Sequence, residues 1–390
     1  MALKILSVDD EADMEILLTQ YFRRKIKKGE YIFSFAHNGI EALKMLLHDN
    51  YEIILSDINM PEMDGITLLS RINEMRNPAM KCIMVSAYGD MENIRNAMNQ
   101  GAFDFTTKPI NLDDLEKTIE KAAEQIRFVK QAQEDHQQLR SIQNDLHVAQ
   151  EIQEMILPKT TPPFPDGKNT CFSLHSSMKA AKYVGGDFYD YFRIDDNRLG
   201  LIIADVSGKG VPAAIFMAVS RTILRTIALS GESCSECIRK SNGILSNDTV
   251  NDMFVTVFYG ILDISTGILE YCNAGHNRPV LIRKGQPSSW IETTGDLALG
   301  VLDNQAYHEK KIQLNPGDSI LLYTDGVTEA MDCNSEMYGN TRLLETCERA
   351  CTVTCSPETV IGEINRDLAD FMQNTPQSDD ITMLALTYRP

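Results

Sequence analysis

Acidic residues at the ends of apolar strands carry most of the chemistry legible in this chain. The segment 184–210 reads V-G-G-D-F-Y-D-Y-F-R-I-D-D-N-R-L-G-L-I-I-A-D-V-S-G-K-G. It puts Asp187 at the head of one strand-like stretch and Asp205 at the end of another, just before Ser207, Gly208 and Gly210. Carboxylates beside a glycine loop suit hard divalent cations, which take oxygen ligands. The pattern returns in Ser319-Ile-Leu-Leu-Tyr-Thr-Asp325-Gly326 and in Ser378-Asp379-Asp380 ahead of an apolar run. Four such loci predict a paired-metal site, with ions about 3.5–4 Å apart that bind a phosphate ester and activate water for in-line attack. That chemistry needs no Ser or Cys nucleophile, and no Ser/His or Cys/His arrangement is evident. His276, in N-A-G-H-N-R-P, is a candidate proton donor, but a turn-shaping role suits it better.

A second acidic set lies near the start. Asp9 and Asp10 follow the first apolar run, Asp57 the third, Ser86 the fourth, and Lys108 the fifth. Three carboxylates at one sheet edge repel one another unless a cation bridges them. A lysine and a hydroxyl nearby could bind the oxygens of a phosphoryl group formed on one carboxylate.

The elements that must position these groups fall into three regions. In residues 1–125, apolar strands at 3–8, 31–35, 53–55, 82–85 and 102–105 alternate with helical periodicity, as at 39–48 and 91–100. Such alternation predicts a doubly wound α/β domain with five parallel strands, whose ligands bind beyond the carboxyl ends of the strands. From Leu112 the chain has no Gly or Pro until Pro158. This predicts one helix of about 70 Å at 1.5 Å per residue. Leu112, Leu115, Ile119, Ala122, Ile126 and Val129 form one apolar seam, and Leu139, Ile142, Leu146, Ala149, Gln153 and Ile156 a second. The polar stretch 131–138 separates them, as two short coiled-coil segments joined at a slack point would require. The expected product is a parallel homodimer; a helix packed on its own domains is the competing reading. Residues 159–390 show strands without βαβ alternation, at 188–194, 199–205, 254–264, 268–273, 279–283, 319–323 and 381–388. Helical segments fall at 212–229, 232–247, 343–350 and 357–372. An α+β layered domain with antiparallel sheets and outer helices follows. The expected domains are 1–125, a coiled-coil linker 126–158, and 159–390.

Composition narrows the partners. At 390 residues and net charge −18, nucleic acid and anionic membranes are disfavoured. No apolar run approaches the roughly 20 residues of a membrane span. The nine cysteines are scattered, Cys234 and Cys237 lack a second pair for zinc, and Cys347, Cys351 and Cys355 recur as one helix face would. Reduced thiols and a cytoplasmic location are expected.

The motifs also carry two resemblances. V-D-D, S-D-I-N-M-P-E-M-D-G, V-S-A and K-P, in that order, resemble the receiver domain of two-component response regulators. The resemblance implies that Asp57 is the phospho-acceptor and that Asp9, Asp10, Asp57 and the Asn59 carbonyl hold Mg²⁺. It implies further that Ser86 and Lys108 contact the phosphoryl group, that Phe105 is the switch aromatic, and that a sensor histidine kinase or phosphotransfer protein is the donor. A-Q-E-I-Q (149–153), V-G-G-D-F-Y-D, A-D-V-S-G-K-G-V-P-A-A, N-A-G-H-N-R-P, Y-T-D-G-V-T-E-A and S-D-D-I-T resemble the SpoIIE/RsbU branch of metal-dependent type 2C (PPM) serine/threonine phosphatases. That resemblance implies two Mn²⁺ or Mg²⁺ ions held by Asp187, Asp205, the Val206 carbonyl, Asp325 and Asp379, with Asp380 the alternative to Asp379. It also implies a phosphoserine anti-sigma-factor antagonist as substrate. The arginine that grips phosphate early in eukaryotic relatives has no clear counterpart. A non-catalytic adaptor that docks a regulatory protein through a phosphatase-like domain is the competing function; the intact acids oppose it.

Overall fold

The computed structural model describes residues 2–87, 91–165, 170–247, 253–351, 355–373 and 375–389. Contacts divide the chain into two units, Met1–Ile142 and Gln143–Pro390. Asp166 and Gly167, at the expected opening of the last domain, lie outside the described residues.

The first unit runs β1 (Leu3–Val8), α1 (Ala12–Tyr21), α2 (Arg23–Lys27), β2 (Tyr31–Ala36), α3 (Gly39–His48), β3 (Ile53–Asp57), α4 (Gly65–Glu74), β4 (Lys81–Ala87), α5 (Met91–Asn99), β5 (Asp104–Lys108) and the start of α6 (Leu112–Ile156). Its strands form one parallel sheet in the order β2-β1-β3-β4-β5. The chain leaves β1 for β2 on one side and later returns to β3 on the other, so the order reverses at β1. Ligand crevices form at such reversals, and there β1 ends at Val8 and β3 at Asp57. Both faces of the sheet are buried, Leu6, Ile54 and Met84 under α3, α4 and α5, and Ile5, Ile53 and Ile83 under α1 and α6. Asn38 and Asp64 open α3 and α4 as N-caps, accepting from Glu41 N and Thr67 N. The fifth strand starts later than the apolar reading 102–105, because its buried residue is Thr106 and hydropathy does not mark it.

The 45-residue helix α6 runs unbroken through 131–138. Leu115, Ile119, Ala122 and Ile126 of its first seam are buried against the sheet of their own unit. The first seam is therefore core of the first unit, not a free coiled-coil stripe. Leu139 and Ile142 of the second seam are exposed, and residues 131–145 are exposed on nearly every side.

The second unit continues with β6 (Phe172–Lys179), β7 (Phe188–Arg193), β8 (Arg198–Val206), α7 (Val211–Ala228), α8 (Cys234–Leu245), β9 (Val255–Asp263), β10 (Ile268–Ala274), β11 (Val280–Ile282), β12 (Ser289–Trp290), β13 (Lys310–Gln313), β14 (Ser319–Tyr323), α9 (Asp325–Thr328), α10 (Gly339–Ala350), α11 (Pro357–Met372) and β15 (Ile381–Tyr388). Two antiparallel five-stranded sheets result, β13-β10-β9-β8-β7 and β12-β11-β14-β15-β6. Period-two alternation builds the layers. In the second sheet, Leu281, Ile320, Leu322, Leu384 and Leu386 join the core shared with the first sheet. Val280, Ile282, Leu321, Tyr323, Met383 and Ala385 face α10 and α11 instead. Helices α7 and α8 cover the first sheet through Ala213, Met217, Leu224, Cys237 and Ile238. By length and composition α7 is apolar enough to cross a membrane, and 33% of it is buried here.

Asp190, on β7 and wholly buried, ties α7 down. Its carboxylate meets the guanidinium groups of Arg225 at 2.6 Å and Arg221 at 2.9 Å. The cysteine expectation needs one correction. Cys351 ends α10 and Cys355 precedes α11, and the two form a disulfide with their Cα atoms 4.3 Å apart. Cys351 and Cys355 therefore do not lie on one helix face with Cys347; the other cysteines are free thiols.

Candidate active site

The first unit gathers its acids at the β1/β3 crevice. Ligand oxygens of Asp9, Asp10 and Asp57 all lie within 4.8 Å of one another. Asp9 and Asp57 are buried while Asp10 is exposed. Burial pushes the Asp9 carboxyl up, with an added push from Asp57, against the pull of the Glu11 backbone amide and Lys108. Lys108 Nζ reaches in from the end of β5, 2.7 Å from Asp57 Oδ2, 3.1 Å from Asp9 Oδ2 and 3.0 Å from Glu11 Oε1. The Asn59 backbone N–H donates to Asp57 Oδ1 at 3.2 Å. Ser86 is fully buried at the end of β4, and Phe105 is 37% exposed. The glycine of M-D-G is forced: a Cβ on Gly65 would stand 2.0 Å from the Asp57 carbonyl oxygen. Three clustered carboxylates with one lysine carry excess negative charge, which suits a divalent cation.

In the second unit the four predicted loci arrive on four strand ends. Asp187 immediately precedes β7, Asp205 lies at the end of β8, Asp325 follows β14 and Asp379 sits ahead of β15. Burial raises both Asp187 and Asp205. Asp205 is pushed up to about 7, with Asp325 the strongest charge against it, and Asp187 is driven well above the usual range with Asp205 its main repulsion. Asp325 is raised by burial and by the charges of Glu329 and Asp379. Acids that raise one another in a buried cluster are a donor set short of cationic charge. All-carboxylate oxygen donors fit Mg²⁺ or Mn²⁺.

The adjacent acids of S-D-D-I-T separate cleanly. Asp380 is 8% exposed, and both of its carboxylate oxygens are taken by backbone amides, Ala181 N to Oδ1 at 2.8 Å and Gly186 N to Oδ2 at 2.7 Å. Its backbone packs so closely on Gly326 that a Cβ there would stand 1.9 Å from the Asp380 carbonyl oxygen. Asp380 therefore fixes the loop before Asp187, whereas Asp379 is more open and pairs with Lys209 Nζ at 2.7 Å. Gly185 and Gly186 are explained likewise: added Cβ atoms would meet Asp380 Oδ2 at 2.2 Å and the Val206 carbonyl oxygen at 2.9 Å.

Several contributors escaped the sequence reading. Thr324 Oγ1 donates to Asp187 Oδ2 at 2.6 Å. Gln153 of α6 is buried and pairs both ways with the backbone of one residue, its Nε2 donating to the Gly185 carbonyl at 2.7 Å and its Oε1 accepting from Gly185 N at 3.1 Å. Its place in a heptad seam had disguised this polar role. Lys209 was visible only as part of a glycine loop. His276 is 7% exposed, its Nδ1 2.8 Å from Thr256 Oγ1 and its backbone N–H donating to Asn273 Oδ1, and burial lowers its ring to about 4. It is a neutral residue inside a turn.

Residues 195–389 match the SpoIIE family, Stage II sporulation protein E, and residues 5–120 match the response regulator receiver domain. The chain belongs to the SpoIIE family of PP2C-type phosphatase domains, and its amino-terminal unit is a response regulator receiver domain. Protein IcfG of Synechocystis sp. (strain ATCC 27184 / PCC 6803 / Kazusa) is 31% identical over 270 residues, covering 62% of this chain and 41% of that protein. Phosphoserine phosphatase RsbU of Bacillus subtilis (strain 168) is 26% identical over 261 residues, covering 65% of this chain and 74% of that protein. The chain thus spans well under half the length of the first relative and about three quarters of the second. The SiaA-PP2C domain of Pseudomonas aeruginosa shares the fold, with a TM-score of 0.54 at 21% identity over 64% of this chain and 98% of that one.

Proposed function

We propose that this chain is a response regulator whose phosphorylation at Asp57 controls a metal-dependent protein serine/threonine phosphatase. The observation that carries the reading is the arrival of Asp187, Asp205, Asp325 and Asp379 at four strand ends of one unit, with burial and neighbouring carboxylates raising the first three. Asp187 and Asp205, with the Val206 carbonyl, would hold one ion, and Asp205, Asp325 and Asp379 the other, each Mn²⁺ or Mg²⁺. Bound there, the ions would supply Lewis acidity and an activated water to a phosphate ester. The chain's own part is positional. Thr324 orients Asp187, Asp380 anchors the Gly186 backbone beside it, and the N-terminal glycines of α7 leave the approach open.

In the receiver, Asp9, Asp10, Asp57 and the Asn59 carbonyl would hold Mg²⁺. Lys108, already against Asp57, would neutralise an added phosphoryl oxygen, while Ser86 and Phe105 would register its arrival. A sensor histidine kinase or phosphotransfer protein would be the donor. Gln153 ties the end of α6 to Gly185, two residues from Asp187, so a change in that helix has a direct path to the acids. The exposed length of α6 around Leu139 and Ile142 suits pairing with a second copy. The relative named a phosphoserine phosphatase supports a phosphoserine protein as substrate; a small anti-sigma-factor antagonist in the cytoplasm is the specific candidate.

The test is Mn²⁺-dependent phosphate release from a phosphoserine protein, with and without an acyl-phosphate mimic at Asp57. Asp205→Ala should abolish release, and Asp57→Ala should abolish the response to the mimic. Full activity in Asp205→Ala would sink the metal assignment, and a rate and dimer fraction indifferent to the mimic would sink the control.

A further inference from the structure

Of the acids in the phosphatase cluster, Asp379 is paired with a cation of the protein itself. Lys209 Nζ lies 2.7 Å from Asp379 Oδ2 and also donates to the Ser378 carbonyl at 2.7 Å. Asp187 instead accepts from the neutral Thr324 hydroxyl at 2.6 Å. The ion pair is half open, the Lys209 side chain 43% exposed and that of Asp379 32%. Nothing in the core depends on the lysine. It rides between Gly208 and Gly210, whose φ angles of +92° and +80° lie in the left-handed region and whose added Cβ atoms would meet nothing within 4 Å. A long flexible chain on a two-glycine loop can leave its partner without disturbing packing.

An ammonium and a divalent cation compete for the same carboxylate oxygen, and side by side they repel at close range. We propose that Lys209 is the built-in counter-cation of the phosphatase centre: it pairs with Asp379, must withdraw for a divalent ion to bind there, and once free offers its ammonium to the phosphate dianion of the substrate. The inference rests on the metal-centre reading above. It adds a residue that sets how tightly the centre loads and that links loading to phosphate capture. Lysine suits the second task as a mobile point charge with three donors.

The experiment uses the full chain with its receiver acids removed (Asp9→Ala, Asp10→Ala), which is the wild type of this comparison, and two probes, Mn²⁺ titrated calorimetrically into metal-free protein without substrate, and inorganic phosphate as an inhibitor of the Mn²⁺-loaded protein. Lys209→Met should bind Mn²⁺ about tenfold more tightly than wild type, the scale expected for losing a half-exposed ion pair that competes with the ion. The same variant should be inhibited about tenfold less well by phosphate, while Lys209→Arg, which keeps the charge, stays close to wild type in both measurements. Unchanged or weaker Mn²⁺ binding in Lys209→Met would overturn the counter-cation role, and unchanged phosphate inhibition would overturn the phosphate role. A wild-type chain that takes up no Mn²⁺ at millimolar concentration would remove the metal reading and this inference with it. Binding that Lys209→Met leaves untouched removes this inference alone.

Discussion

Replacing Gln153 by methionine tests whether the end of the long helix braces the catalytic loop. Methionine fills similar volume but offers Gly185 no amide, so the Gly185 N–H and C=O lose their partners at 3.1 and 2.7 Å in a buried setting. Leaving a buried polar group unmade costs about 1–3 kcal/mol. Taking about 1.5 for each gives about 3 kcal/mol. For a unit the size of Gln143–Pro390, 1 kcal/mol moves the midpoint by about 2–4 °C. The expected fall in Tm is therefore about 6–12 °C. Gly185 also neighbours Gly186, whose amide is held by Asp380, and Asp187 follows directly. A loosened Gly185 should thus lower kcat more than it raises KM, because the acids lose register while the outer surface is untouched. Thermal unfolding and steady-state kinetics of the full chain read both effects. Gln153→Glu should fall nearly as far, since one oxygen still accepts from Gly185 N but the other faces a carbonyl. A Gln153→Met protein with wild-type Tm and kcat would show that the paired amide bonds brace nothing.

Two further expectations follow from buried charge. Asp190→Ala would strand Arg221 and Arg225, the first with a side chain only 11% exposed, and should lower stability by about 3–5 kcal/mol in urea unfolding. A loss below about 1 kcal/mol would show that the pair contributes little beyond its desolvation cost. His276 is held neutral by burial, with its folded value near 4 against about 6.5 when unfolded. Its stabilising contribution is therefore present above pH about 6.5, falls as pH drops towards 4, and amounts to about 3 kcal/mol over that window. Comparing the pH dependence of stability in wild type and His276→Gln isolates this group from the carboxylates that titrate nearby. Parallel curves would refute it.

Where the sequence could be read, the reason is local. The strands β1, β3, β8 and β14 are mostly apolar because both faces of their sheets are covered. The acids stand out because they interrupt such runs at the end. The edge strand β6 was missed since F-S-L-H-S-S-M-K has only Phe172, Leu174 and Met178 on its inward face, with serines between. The short β12 and β13 and the four-residue α9 are too brief or polar to register. That Asp380 is held by backbone amides and Asp379 pairs with Lys209 required distances, because two adjacent acids at a strand start differ only in which way each points. Asp190 gave no local sign of its partners, which lie more than thirty residues further along the chain, at Arg221 and Arg225.

The pairing of β6 with β15 carries a consequence for how the site comes into being. Their register runs from Ile381 opposite Lys179 to Tyr388 opposite Phe172, so the opening strand of this unit has its sheet partner only in the closing one. Asp379 and Asp380 sit at the doorstep of that last strand, and Asp380 is what seats the Gly186 loop. During synthesis the first three acids would emerge into an unfinished pocket, with β6 unpaired. Closing a loop of roughly two hundred residues is entropically costly and slow relative to local folding. A chain truncated before β15 is therefore expected to leave β6 without its sheet partner and to carry none of the activity.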